Sequence, residues 1–228
     1  IKYTDYTYDL IGNVTKVEYQ KDAVGEDKFT HFYSYDFDGR VTRVQTEDAF
    51  ANKKTQAEYS YYQDGSVKEV DMAEGLQTLK YRYTIHGWLK SINGEDMDVA
   101  GANANADNVF SMSLEYYQND YVSANTAAHS SNHFVYNYGA TDQESYTGNI
   151  TAWRWKNRVG NPNVDNQWGY KYTYNERNEL HIAEFGVATL TSNNNNTGDD
   201  NIVTNIASIS SSNDYKVSNI HYDNNIPA

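Results

Sequence analysis

Tyr33-Ser34-Tyr35-Asp36-Phe37-Asp38-Gly39-Arg40-Val41-Thr42-Arg43-Val44 reads as one complete β-hairpin. Tyr-x-Tyr has the period of two that places both rings on one face of a strand. Asp36 suits the first position of a type I turn, where its carboxylate accepts backbone N–H groups. Gly39 suits the fourth position, taking the left-handed conformation that re-enters the return strand through a bulge. The return strand is β-branched and apolar at both ends, although Val41 and Val44 are three residues apart and so depart from strict alternation.

The pattern recurs. Tyr6-Thr-Tyr8-Asp9-Leu-Ile-Gly12 leads into Val14 to Val17, Tyr59-Ser-Tyr61-Tyr62-Gln-Asp-Gly65 into Val67 to Val70, and Tyr81-Arg-Tyr83-Thr-Ile-His-Gly87 into Leu89 to Ile92. The glycines stand 27, 26 and 22 residues apart. A later copy, Tyr146-Thr-Gly148-Asn149-Ile150-Thr-Ala-Trp153, keeps mainly the second half, and Tyr172-Thr-Tyr174-Asn175-Glu-Arg-Asn178 places Asn where glycine is expected. Asn is the residue after glycine most tolerant of positive φ. Tyr222-Asp223 looks like the first half of a further copy, and with Ile1 at the other end the chain reads as a piece of a longer polypeptide. An isolated hairpin is marginal in water, so the copies are expected to pair edge to edge.

Composition agrees with an all-β chain. Leu, Ile, Val and Phe together supply only 41 of 228 residues, too few for helix bundles or buried parallel sheets, whereas 22 Tyr and 4 Trp supply an aromatic, semi-polar interior. The formal charge of −13 without a basic stripe excludes binding to a phosphate backbone, so no nucleic acid is expected as a partner. No apolar run reaches transmembrane length, so no membrane insertion is expected. The absence of Cys removes disulfides, thiolate nucleophiles and Cys-based metal sites.

These residues resemble the YD-repeat, or Rhs (rearrangement hotspot), family, whose repeats run roughly Tyr-x-Tyr-Asp-x-x-Gly-Arg/Asn-Leu/Val; Tyr33 to Val44 is close to that pattern and Tyr6 to Val17 nearly as close. The segments Tyr81 to Ile92, Phe110 to Tyr117, Tyr146 to Trp155 and Tyr170 to Phe185 resemble Rhs proteins of Bacteroidota. The resemblance implies a spiral of antiparallel β-hairpins forming a hollow shell, as in bacterial polymorphic toxins, insecticidal toxin complexes and teneurins. It implies a secreted or cell-surface, non-catalytic protein that encloses or displays a C-terminal effector, with type IX secretion by association. The alternative is a cell-surface adhesin that binds glycans or a neighbouring cell. Implied partners are the other repeats and the effector of the same polypeptide, export machinery, and glycans. The family's Asp-Pro-x-Gly self-cleavage motif does not occur, the prolines being Pro162 after Asn161 and Pro227 after Ile226.

The sequence carries no recognisable catalytic or metal-binding pattern. His129 and His133 stand four apart, but in a loop entering a strand rather than on a helix, and read as solvated. His31, His86, His181 and His221 have no paired carboxylate motif. Glu95, Asp96, Asp98, Asp199 and Asp200 lack the spacing of calcium loops and read as solvated acids. No Gly-x-Ser-x-Gly, Walker A or dinucleotide pattern occurs. No catalytic residue, cofactor or metal ligand is therefore expected.

The expected structural positions are Tyr8, Asp9, Gly12, Tyr35, Asp36, Gly39, Tyr61, Gly65, Tyr83, Gly87, Gly148, Tyr174 and Asn178, with the tyrosines stacking across strands. Trp153 and Trp155 fall on one strand face and are the candidates for a ligand or cargo surface. The whole of 1–228 is expected as one shell segment, with regular repeats over 1–93, further strands over 109–191 and 202–228, and irregular loops at 94–108 and 192–201. Strands are expected at 109–117 and 133–138.

Overall fold

A computed structural model describes residues 2–23, 27–94, 110–121, 136, 138–140, 142–157, 167–192, 201–208, 217–218 and 220. These residues are all-β, an array of antiparallel hairpins without an α-helix among them. The chain divides into two compact units, Ile1–Lys80 and Tyr81–Ala228. In the first, β1 (Thr4–Tyr8), β2 (Val14–Tyr19), β3 (Phe29–Tyr35), β4 (Val41–Glu47), β5 (Lys53–Tyr61) and β6 (Val67–Met72) pair in chain order, and β6 pairs with the start of β7 (Gln77–Tyr83). In the second, the end of β7 pairs with β8 (Leu89–Ile92), followed in order by β9 (Phe110–Glu115), β10 (Ala152–Asn157), β11 (Gln167–Tyr174), β12 (Leu180–Ser192) and β13 (Asn201–Ser208). A short β14 (Val217–Ser218) also pairs with β12.

A β-bulge explains the three-residue spacing of the return strands. Tyr6 faces Val17 and Tyr8 faces Val14, which leaves Thr15 as the extra residue on the bulged strand. Tyr33 and Tyr35 face Val44 and Val41 with Thr42 extra, and Tyr59 and Tyr61 face Val70 and Val67 with Lys68 extra. The register shifts in the same place at Tyr83, facing Leu89 with Lys90 extra, and at Tyr174, facing Leu180 with His181 extra. An inserted residue restores the face of everything after it, so apolar residues three apart can share one side.

The turns follow one hydrogen-bonding scheme. Gly39 N–H donates to the Asp36 carbonyl at 3.1 Å, Asp36 N–H to the Arg40 carbonyl at 2.9 Å, and Asp36 Oδ1 accepts from the N–H groups of Asp38 and Arg40. Asp9 and Asn175 repeat it, with Gly12 at φ 96° and Asn178 at φ 62°. The turns that end at Gly65 and Gly87 begin at Tyr62 and Thr84, where Asp or Asn stands in the other copies. Asp48 to Asn52 forms an unforeseen copy, with Ala51 at φ 63° where glycine stands elsewhere.

Successive hairpins of the first unit are fastened by side chains of the motif itself. The Tyr35 hydroxyl donates to the Val14 carbonyl at 2.7 Å and the Tyr61 hydroxyl to the Val41 carbonyl at 2.6 Å, each reaching the bulge of the preceding hairpin. Arg40 bonds Asp36 through Nε at 2.7 Å while its guanidinium lies 4.7 Å from the centroid of the Tyr61 ring. Tyr35 and Tyr61 thus join hairpins by hydrogen bonds rather than by the expected stacking across strands, and Tyr8 stacks on Tyr6 of its own strand. Few side chains here are buried, Ala57 and Val70 being the apolar ones among the described residues, so ladder bonds and cross-strand contacts carry this unit.

Two expectations need correction. Ser192 ends β12 and Asn201 opens β13, so both belong to strands rather than to the irregular loop, because the β12–β13 ladder pairs Ser192 with Asn201. Of the strand expected at 133–138, Tyr136 makes an isolated bridge and Tyr138 is irregular. His129, His133, Glu95, Asp96, Asp98, Asp199, Asp200, His221 and Tyr222 lie outside the described residues.

Two predictions follow from the turns. A Cβ at Gly39 meets nothing within 4 Å, so Gly39→Val is strained by its φ of 77° alone and should cost about 1–2 kcal/mol in urea unfolding. Ala51→Gly should instead stabilise, by about 0.5 kcal/mol, since relieving left-handed strain outweighs the entropy glycine adds to the unfolded chain. Equal midpoints for both variants and the parent would contradict the turn assignment.

The turn carboxylates set a pH dependence. N–H donation from Arg40 holds the Asp36 carboxyl below its ordinary range, and the side chains of Asn52 and Ser66 do so for Asp48 and Asp64. At Asp9 desolvation opposes the charge and the bonds from Asn13 and Ile11 outweigh it. A carboxyl depressed on folding contributes stability above its unfolded value and loses it as pH falls through the folded one. The urea midpoint should therefore decline from about pH 4 downward. A profile flat to about pH 2 would show that these carboxylates are not held by the turns.

Candidate functional site

The second unit inverts the usual alternation. One face of its sheet carries a row that the register aligns across five strands, Ser91, Ser113, Arg154, Gly169 and Gly186. These residues are buried, Arg154 at 1% exposure, and the small neighbours leave room for a guanidinium. The opposite face carries Trp153, Trp155, Trp168, Tyr170 and Phe185, all only partly buried.

The buried face centres on an ion network. Lys90, the extra residue of the β8 bulge, donates through Nζ to Glu115 Oε2 and, at 2.7 Å, to Asp120 Oδ1. Re-aiming a side chain is what a bulge does. Arg154 donates to Glu115 Oε1 from Nη2 at 2.9 Å and from Nε at 3.2 Å, and Ser113 Oγ donates to the same oxygen at 2.8 Å. Asp120 Oδ2 accepts from the Tyr116 N–H at 2.9 Å. Burial works against the Glu115 charge, yet the Lys90 and Arg154 cations prevail and hold its carboxyl below the ordinary range. Burial wins at Asp120, whose carboxyl is raised despite Lys90.

Two cavities adjoin this network. One, of about 150 Å³, is lined by Tyr136, Tyr138, Asp142, Thr151, Lys171 and Glu184 among others. Its polar groups are largely engaged with one another: Lys171 Nζ lies 3.1 Å from Asp142 Oδ1, and the Tyr138 and Thr151 hydroxyls are 2.6 Å apart. The other, of about 370 Å³, lies between the β7–β8 turn and the loop after β9 and is lined by Tyr83, Thr84, Ile85, Tyr117, Asn119, Asp120 and Tyr121. Burial pushes the Tyr116 hydroxyl up to about 12, and Tyr136 and Tyr138 are raised for the same reason.

The expected surface residues do come together. The Trp153 and Trp155 rings are 4.4 Å apart, and Trp155 lies 5.9 Å from both Tyr170 and Phe185. Trp168 stacks on Phe185 at 5.6 Å and 9°. Tyr174 donates to the Ile150 carbonyl at 2.6 Å, and Tyr116, also unforeseen, to the Leu89 carbonyl at 2.9 Å, the tyrosine-to-return-strand contact of the first unit. Gly65, Gly87 and Gly148 all have positive φ. Among the described residues no group of three His, Asp or Glu side chains is placed to hold a metal ion.

Lys90, Glu115, Asp120 and Arg154 were not foreseen because charged side chains are ordinarily solvated, Arg154 even standing between two tryptophans. The signal available was the run of Ser, Gly and Ala residues on the same face, too small to fill a core without a large partner. No family model and no curated protein matches the chain.

Proposed function

We propose that this chain is a non-catalytic wall segment of a secreted or cell-surface YD-repeat protein, whose β-hairpin sheet encloses or displays a C-terminal effector of the same polypeptide. The observation that carries the reading is one bond made repeatedly: Tyr35, Tyr61, Tyr116 and Tyr174 each donate a hydroxyl to a backbone carbonyl at or just before the start of an earlier strand, those of Val14, Val41, Leu89 and Ile150. A contact that recurs within each unit and ties one hairpin to an earlier one suits a continuous wall, since repeat arrays draw their stability from such interfaces. The mechanism is steric exclusion, and the acidic composition keeps an extended sheet soluble.

Protease treatment of the whole polypeptide tests it. A segment outside the repeats should survive digestion in the parent and be cut when Tyr35→Ala, Tyr61→Ala and Tyr174→Ala are combined. Digestion of that segment at equal rates in the parent and in the combined variant would overturn the enclosing role. Tyr35→Phe or Tyr61→Phe alone should cost about 1 kcal/mol, the net value of one hydrogen bond.

A further inference from the structure

The larger cavity of the second unit has a chemistry that a wall does not require. Its lining includes Asp120, held by Lys90 Nζ at 2.7 Å and by the Tyr116 N–H at 2.9 Å. Each carboxylate oxygen accepts one of these bonds and keeps a second lone pair. The lining includes three tyrosines, and Tyr117 is braced by parallel stacking on Tyr146, with centroids 4.5 Å apart. Asn119, exposed, is held at φ 61° in a turn closed by the Asp120 N–H to the Tyr117 carbonyl at 3.2 Å. Ile85 forms an apolar lip that is 92% exposed.

We propose that this cavity binds a neutral saccharide of one or two rings. A sugar hydroxyl donates to Asp120, the Asn119 amide bonds a further hydroxyl, and the C–H face of the ring lies against tyrosine. The volume of about 370 Å³ falls within the roughly 300–1,000 Å³ of small-molecule sites. Charge argues for neutrality. Lys90 already balances Asp120, so a ligand ammonium finds no unmet anion there, and an anionic sugar meets a carboxylate on a chain of net charge −13. A purely apolar ligand would desolvate the carboxylate without replacing its hydrogen bonds.

The test titrates cellobiose, lactose and N,N′-diacetylchitobiose into the 228-residue chain by calorimetry, beside glucosamine and glucuronic acid as charged comparators. Saturable binding of at least one neutral disaccharide, more tightly than either charged sugar, is the expected result. Tyr117→Ala should weaken that binding about tenfold, the equivalent of one aromatic contact. Ile85→Arg, at an exposed position that leaves the fold intact, should weaken it as well, and Trp155→Ala on the opposite face should not. No binding by any of the three neutral sugars would overturn the proposal. So would a charged sugar binding at least as tightly, or binding indifferent to both Tyr117→Ala and Ile85→Arg. None of these results touches the wall reading, which stands on the protease experiment.

Discussion

Lys90→Met should destabilise the second unit by about 3–5 kcal/mol, the cost of breaking a buried ion pair from one side. The side chains of Lys90, Glu115 and Asp120 are 0%, 1% and 2% exposed, so removal of the ammonium strands carboxylates that are almost wholly shielded from water. Glu115 keeps Arg154 and Ser113, whereas Asp120 keeps only the Tyr116 N–H among its described donors. The stranded charge is therefore that of Asp120. All tryptophans, Trp88, Trp153, Trp155 and Trp168, belong to the second unit, so urea unfolding followed by tryptophan fluorescence reports on it directly. Asp120→Leu added to Lys90→Met should recover part of the loss, because an apolar pair replaces an unpaired charge. The Lys90→Met deficit should also shrink as pH falls: the Asp120 carboxyl is already raised by burial, a raised carboxyl gains stability on protonation, and removal of Lys90 raises it further. A loss below about 1 kcal/mol, the value of an exposed pair, would show that Lys90 is solvated.

Where the fold was legible, the cause was local. Tyr-x-Tyr, Asp at the turn and Gly at its fourth position specify a hairpin without reference to the rest of the chain, and Asn178 could be recognised because Asn shares glycine's tolerance of positive φ. The turn at Asp48 stayed hidden because Ala51 carries no such mark; there the Asp48 carboxylate, bonded to Phe50 N–H, Asn52 N–H and the Asn52 amide, holds alanine in a conformation it disfavours. The bulge was legible from the glycine, whereas its link to the three-residue spacing of the valines emerges only from the strand register. The ion network was signalled only by the small residues around it, since Lys90, the Glu115–Asp120 segment and Arg154 come from three separate stretches that meet through strand register and the loop after β9. Trp153 and Trp155 were found because two rings two residues apart must share a strand face, while the cavity at Tyr117 and Asp120 depends on a turn beside β7 and a loop after β9 that no local pattern links.

Gly148→Val should cost about 2–5 kcal/mol, clearly more than Gly39→Val, and the difference isolates one tertiary contact. Both glycines have positive φ, 95° and 77°, so both substitutions carry left-handed strain of about 1–2 kcal/mol. At Gly39 nothing lies within 4 Å of the added Cβ; at Gly148 it would sit 3.2 Å from Trp88 Cε2 and Cζ2. Overpacking of that kind costs about 1–3 kcal/mol more. The indole cannot simply retreat, because it packs 5.0 Å from the Tyr116 ring and 4.8 Å from His86. Tyr116 in turn carries the N–H that holds Asp120 and the hydroxyl bonded to the Leu89 carbonyl, so displacing Trp88 presses on the ion network as well. Trp88→Leu in the Gly148→Val background should return the excess over Gly39→Val and leave the strain. Equal costs for Gly148→Val and Gly39→Val, read by tryptophan fluorescence and far-ultraviolet dichroism in urea, would mean that Trp88 does not rest on the Gly148 turn.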